Sequence, residues 1–256
     1  GHVRNIKDYA GFDKLQCEKE FLVIVYKNKK IPEHITQSIL KYCEEENIRV
    51  DVYDEPEGKS FIENLYYCWN KAYEVAKDGY VFRAGSDQVF SHNSFVSLYE
   101  QAEKLRKEGI NNVILQANTI ENSVRLNEIG ATSRHFALSI GNNFDDFNYE
   151  MFEDYIKVIN NGVNEELLTI EDALRYWGRP TKLMTSLGLI DRVDGCSWLQ
   201  TKADWIKYGP MIPINQYGIT GDVTLHDSFQ QNNYKFFIVK DLLTYHMVRG
   251  ESMEKY

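Results

Sequence analysis

The chain has 256 residues, with 29 Lys and Arg against 38 Asp and Glu, a net charge of −9 with His neutral. Hydrophobic residues at 43% and charged residues at 26% exclude a disordered chain, because that much apolar side chain supports a packed core. The acid surplus argues against a duplex-binding module that tracks phosphates, and so against a nucleic-acid acceptor, while leaving room for a local basic pocket.

Gly1-His2 lacks an initiating Met and reads as the remnant of an expression tag. From Phe21 to about Asn118, short apolar runs alternate with helical periodicity, the signature of β-α-β units on a largely parallel sheet. Phe21 to Tyr26 is a buried strand. Pro32 opens a helix whose apolar face is predicted to be Ile35, Ile39 and Tyr42 or Cys43. Arg49 to Tyr53 alternates as a second strand, closed by the turn Asp54 to Gly58. Phe61, Leu65, Cys68, Ala72 and Ala76 mark one face of a second helix, ended by Gly79 before a third strand, Tyr80 to Ala84.

That third strand runs into Gly85-Ser86-Asp87-Gln88, so a carboxylate stands at the carboxyl edge of a strand, where ligands bind in open α/β sheets. A helix (Phe95, Leu98, Ala102, Leu105) and a strand (Asn112 to Ala117) follow. A helical insertion is predicted over about residues 140–190, and Tyr234 to Val239 forms a late strand. At this length the chain can bury roughly 70–75% of its unfolded surface, enough for one domain over 3–256. No apolar run reaches the roughly 18–20 residues of a membrane helix, and no signal pattern is present, so the expectation is a soluble, cytoplasmic protein without a membrane span. Cys17, Cys43, Cys68 and Cys196 are widely spaced, which favours core thiols in a reducing compartment over disulfides or a zinc site.

A P-loop, a Gly-x-Gly-x-x-Gly turn, a His-Glu-x-x-His helix and a Gly-x-Ser-x-Gly elbow are all missing. What remains is the acidic loop at Asp87 and a later group of Asp222, His226, Asp227 and His246. Asn70-Lys-Ala-Tyr-Glu-Val-Ala-Lys-Asp-Gly-Tyr-Val-Phe-Arg-Ala-Gly-Ser-Asp87-Gln-Val-Phe resembles the segment of family 2 glycosyltransferases in which a helix and a Gly-aromatic turn lead into the metal-binding Asp-x-Asp motif. Tyr26-Lys27-Asn28 is similar to that family's donor-nucleotide strand. Gly195-Cys-Ser-Trp198 and Asp204 to Gly209 are similar to its sugar and acceptor segment, and Gly221-Asp222 with Asn233-Tyr234 to its base-bearing motif. Tyr245-His246 resembles a late metal-binding His. The resemblance spans about Phe21 to His246 and departs at two places, where Gly85 and Gly221 replace acids.

The resemblance implies a GT-A fold: a mixed α/β sheet flanked by helices, with a nucleotide-binding half over 21–118 and an acceptor-side half over 119–256. It implies a metal-dependent inverting glycosyltransferase that moves a sugar from a nucleoside-diphosphate donor, a UDP-sugar above all, to a hydroxyl of a glycan or other acceptor. Asp87 and His246 would hold Mn²⁺ or Mg²⁺, with imidazole favouring Mn²⁺. Tyr26, Lys27, Asp54, Asn70, Arg83, Ser86, Asp87 and Trp198 would bind the nucleotide-sugar. Asp222 or its competitor Asp227 would be the general base, since a carboxylate is ionised at neutral pH. Other readings stand beside these: Asp87 as a turn or helix cap, Asp54 as a turn residue, and Trp198, Trp205 and Tyr208 as core. Two further functions remain open, a sugar nucleotidyltransferase, which normally needs a glycine in the Tyr26 to Ile31 loop, and a non-catalytic carbohydrate-binding or assembly protein.

Overall fold

Two strands with strong β-formers start the fold. Leu22–Lys27 (β1) and Arg49–Asp54 (β2) pair in parallel, from Leu22 opposite Arg49 to Lys27 opposite Asp54. The computed structural model describes residues 2–27, 32–54, 56, 60–121, 147–177, 198–211 and 221–247. The chain forms two compact units, one made of Gln16–Val81 with Thr201–Phe229, the other of Gly1–Leu15, Phe82–Gln200 and Gln230–Tyr256. The division therefore does not follow one break near residue 118.

In the first unit, Glu33–Glu45 (α1) and Phe61–Val75 (α2) accompany the two strands. Ser60 starts α2 through a capping box: its hydroxyl accepts from Glu63 N at 3.3 Å while Ser60 N donates to Glu63 Oε2 at 2.8 Å. The apolar faces agree only in part with those predicted, Cys43 being buried as expected. α1 buries Thr36 and Cys43, leaving Ile35 at 42%, Ile39 at 39% and Tyr42 at 38% exposure. A sheet only two strands wide is too narrow to cover so broad an apolar arc. α2 buries Tyr66 and Tyr73, whose rings carry more apolar area than Cys68 and Ala72, while Leu65, Cys68 and Ala72 of the predicted stripe are half-buried. Lys202–Tyr208 (α6) and Gly221–Gln231 (α7) complete this unit, with Tyr73 stacked on Trp205 and Tyr208 edge-on to Phe229.

The second sheet is mixed, as the fold expectation had it; the parallel pairing expected from the β-α-β rhythm is seen in β1 and β2, while the later strands depart from it. Its strand order is β3-β7-β5-β8-β4, with β6 also on β8. These are Tyr80–Phe82 (β3), Gln88–Phe90 (β4), Val113–Glu121 (β5), Leu167–Leu168 (β6), Leu199–Thr201 (β7) and Lys235–His246 (β8). β5 runs parallel to β8; β4 and β6 run antiparallel to β8, and β7 antiparallel to β5. β4 went unpredicted because three residues are too few to show alternation. Ser94–Lys107 (α3) buries Phe95, Leu98, Ala102 and Leu105, as its periodicity predicted. Of the predicted helical stretch, the described part holds Tyr149–Ile159 (α4), β6 and Ile170–Trp177 (α5); residues 178–197 lie outside the described residues.

β8 is twice as long as predicted and is bent by design. Its register against β5 shifts between Gln116 and Asn118, and Asp241 sits at φ +65°, a left-handed conformation that Asp tolerates better than most residues. Beyond this bulge, Leu243, Tyr245 and Met247 pack with Val89 against Phe152 and Ile156 of α4. Thr244 and His246 consequently project from the other face. Among the described residues no helix is long and apolar enough to cross a membrane.

Candidate functional site

The second unit gathers the predicted metal ligands. The turn after β3 brings Asp87 to the entry of β4, and β4 pairs with β8 so that Gln88 lies opposite His246. His246 Nε2 is 3.1 Å from Asp87 Oδ2, a contact in which the ring N–H donates to the carboxylate. Met247 N donates to Asp87 O at 2.7 Å, so main chain and side chain of Asp87 are both tied to the end of β8. Gly85 N donates to Gln88 Oε1 at 2.7 Å and closes the turn. Asp87 is 40% exposed at its side chain and His246 only 15%, leaving the carboxylate as the group open to a ligand.

Gly85 stands where the resembling family has an acid, and the geometry gives that departure a physical meaning. A Cβ on Gly85 would meet Asp87 Oδ1 at 2.8 Å. The Asp87 carboxylate thus fills the space of the missing side chain and turns its other oxygen to His246. With its proton on Nδ1 instead, His246 would offer the Nε2 lone pair beside the Asp87 carboxylate, and the two together would fit a divalent cation completed by a bound substrate and water. Among the described residues no group of three or more His, Cys, Asp or Glu side chains converges as a metal cage.

The other candidates in this unit are placed as follows. Ser86 is exposed in the turn, and Arg83, on the approach to it, is 5% exposed. Trp198 is fully buried, its ring 6.4 Å from Phe236. On the same sheet face as His246, the register aligns Gln88, Thr119 and Thr244, all buried, so the polar character of this edge extends into the sheet. Sequence reading missed these three, because only the strand register shows that they share a face.

The first unit carries the remaining candidates. Pairing of β1 with β2 sets Lys27 beside Asp54 at the carboxyl ends of both strands, each exposed. One residue earlier, Tyr26 stacks on Tyr53 with ring centroids 5.8 Å apart and meets Tyr67 edge-on at 5.9 Å. Lys71 Nζ lies 5.4 Å over the Tyr53 ring. Burial, then the nearby Cys68 thiol, push the Tyr26 hydroxyl well above the usual tyrosine range, so it stays protonated. Tyr53, Tyr67 and Lys71 were not singled out from sequence; alternation in β2 and helical spacing from Tyr67 to Lys71 are the signals that point to them. Asn70 is committed to the backbone: Nδ2 donates to Met211 O and Met211 N donates to Oδ1, both at 2.8 Å. Asp227 is half-buried on α7 beside the buried His226. Asp222 lies in the first turn of α7, and its side chain falls outside the described residues, as do Asn28, Gly195 and Cys196.

No protein-family model matches this sequence, and no curated protein matches it at a significant level. Among solved structures, one that resembles it is GalNAc-T7 with UDP, GalNAc and Mn²⁺, at 11% identity and a TM-score of 0.49. That likeness covers 89% of this chain but 38% of the other, so the present chain spans well under half the length of that structure. The fold itself is mixed α/β, a sheet flanked by helices.

Proposed function

We propose that this chain is a GT-A glycosyltransferase that transfers a sugar from a nucleoside-diphosphate donor, a UDP-sugar, to an acceptor hydroxyl with inversion. The observation that carries the reading is the convergence of Asp87 and His246 at the carboxyl-edge turn, in a sequence context resembling family 2 glycosyltransferases. Bound Mn²⁺ or Mg²⁺ would neutralise the diphosphate as the bond from its oxygen to the anomeric carbon breaks. Asp87 supplies a hard carboxylate oxygen and His246 a neutral imidazole nitrogen, a pair that favours Mn²⁺.

In this reading Tyr26 and Asp54 receive the base, the aromatic ring by stacking and the carboxylate by accepting from an N–H. In the second unit Arg83 and Ser86 are the candidates to serve phosphate, and in the first unit Lys27 is a candidate of the same kind, since an acidic protein must supply positive charge locally wherever it holds phosphates. Asn70, bonded to the Met211 backbone, and Trp198, fully buried near Phe236, are packing residues in this reading rather than contacts to the nucleotide-sugar. Asp222, or Asp227 in its place, takes the acceptor proton as the hydroxyl oxygen attacks the anomeric carbon from the side opposite the diphosphate. The test is nucleotide release from a panel of UDP-, GDP- and dTDP-sugars with Mn²⁺, run on the wild type and on Asp87→Ala. Release that needs Mn²⁺ and is lost in Asp87→Ala supports the proposal; no metal-dependent release, or full activity in the variant, overturns it.

A further inference from the structure

Among the described residues β4 is an edge strand of the mixed sheet, so half of its backbone groups face away from β8. Asp87 O and Ser91 N bond to Met247 and Leu243 on the β8 side. By the alternation of an antiparallel ladder, the N–H and C=O groups of Gln88 and Phe90 point outward. A burial argument requires partners for them. Those partners come from the beginning of the described chain. Phe90 N donates to Asn5 Oδ1 at 2.9 Å and Asn5 Nδ2 donates to Phe90 O at 3.1 Å, so one side-chain amide pairs with Phe90 as a neighbouring strand would. His2 Nδ1 donates to Gln88 O at 2.8 Å.

Asn5 is 2% exposed and does not float. The turn from Asn5 to Tyr9 that carries it is anchored by Ile6 and Ala10 in the core. Asn93 N donates to Tyr9 O and Phe95 N to Ala10 O, both at 2.9 Å. The Tyr9 hydroxyl donates to Glu153 Oε1 at 2.7 Å, and His92 N reaches the same oxygen at 2.9 Å. Asn5 therefore clamps β4 from outside while β8 holds it from inside. The three-residue strand between them delivers Asp87 to His246.

We infer that Asn5 is a positioning residue for the Asp87–His246 pair, acting through β4, and that the second unit's ligand edge is incomplete without the segment that carries Asn5. The inference rests on the metal reading for its functional meaning but not for its structural content. Asn5→Ala leaves Phe90 without its outer partner and frees the β4 entry to shift. Asn5→Asp keeps the acceptor for Phe90 N, loses the donor to Phe90 O, and gives a second readout should the alanine variant fold poorly. Leu168→Ala, which removes a buried side chain paired with the distant Ile238 level of β8, serves as a destabilised control.

Two measurements on the folded proteins decide the matter. The first is hydrogen exchange at the Met247 amide, which is bonded to Asp87 O rather than to Asn5. The second is Mn²⁺ affinity by electron paramagnetic resonance. Expected for Asn5→Ala is Met247 exchange at least about tenfold faster and Mn²⁺ binding about five- to tenfold weaker, with Asn5→Asp intermediate and Leu168→Ala unchanged in both. Wild-type Met247 protection in both Asn5 variants overturns the inference. So does an equal change in Leu168→Ala, which would reduce the effect to general loss of stability. Absence of Mn²⁺ binding by the wild type would sink the metal reading alone, and the exchange result would still decide the role of Asn5.

Discussion

Replacing Asn70 by Ala tests whether this residue works through the backbone of Met211. Met211 is 1% exposed, and its N–H and C=O are each bonded to the Asn70 amide at 2.8 Å across 141 residues of chain. Truncation removes both of these hydrogen bonds to a buried residue, at about 1–3 kcal/mol each. The expected total loss is about 2–4 kcal/mol, the lower part of that range doubled. For a chain of this size, about 2–4 °C of melting temperature per kcal/mol gives a shift of about 5–15 °C. Asn70→Asp should recover little of this, since a carboxylate still accepts from Met211 N but opposes Met211 O. The assay is urea and thermal unfolding, with UDP affinity measured in parallel on the folded fraction. A stability loss below about 1 kcal/mol would refute the bonding scheme. UDP binding abolished at unchanged stability would make Asn70 a ligand residue instead.

Further outcomes follow from the packing and the caps. Phe152→Ala should cost about 3–5 kcal/mol in unfolding experiments, because Phe152 is fully buried between Phe147 and Tyr245 and leaves a cavity under the end of β8. At α5, Thr169 Oγ1 accepts from Asp172 N at 3.1 Å, while Thr169 Oγ1 and Thr169 N donate to Asp172 Oδ2 at 2.8 and 3.1 Å, and these two donated bonds hold the Asp172 carboxyl below its usual range. Thr169→Ala should cost about 1 kcal/mol of stability near neutral pH by urea titration, with the difference shrinking as Asp172 protonates in acid. His2, read from the sequence as part of a tag remnant, nevertheless packs on β4 through Gln88 O and is lowered from 6.5 to about 4, chiefly by burial, so between those values the unfolded chain binds the proton more strongly. Stability should therefore fall as pH drops from 6.5 toward 4, by up to about 2 kcal/mol between pH 7 and pH 5 for this group, a component that His2→Gln removes.

Periodicity alone was enough to place β1, β2, α2 and α3 and to find the acidic turn after β3, because a strand's apolar run and a helix's 3.6-residue repeat are local properties. It could not say which arc of α1 lies on the sheet: Ile35 and Ile39 sit beside Thr36 on the same broad apolar side, and the width of a two-stranded sheet chose among them. Nor was β4 legible, since Gln88-Val89-Phe90 becomes a strand only by pairing with a partner more than 150 residues away.

The candidate site divides along the same line. Asp87 and His246 were separately visible as a carboxylate on a strand edge and a histidine after an aromatic, and the family resemblance linked them. Their 3.1 Å contact spans 159 residues and needs the bulge at Asp241, which sets Thr244 and His246 opposite the α4 core. Asn5 was silent in sequence, an isolated polar residue whose partner lies 85 positions on. Residue type and local rhythm therefore determined which groups are chemically able to act. Register, bulge and edge pairing determined which of them meet, because those depend on backbone hydrogen bonds between segments that no local pattern connects.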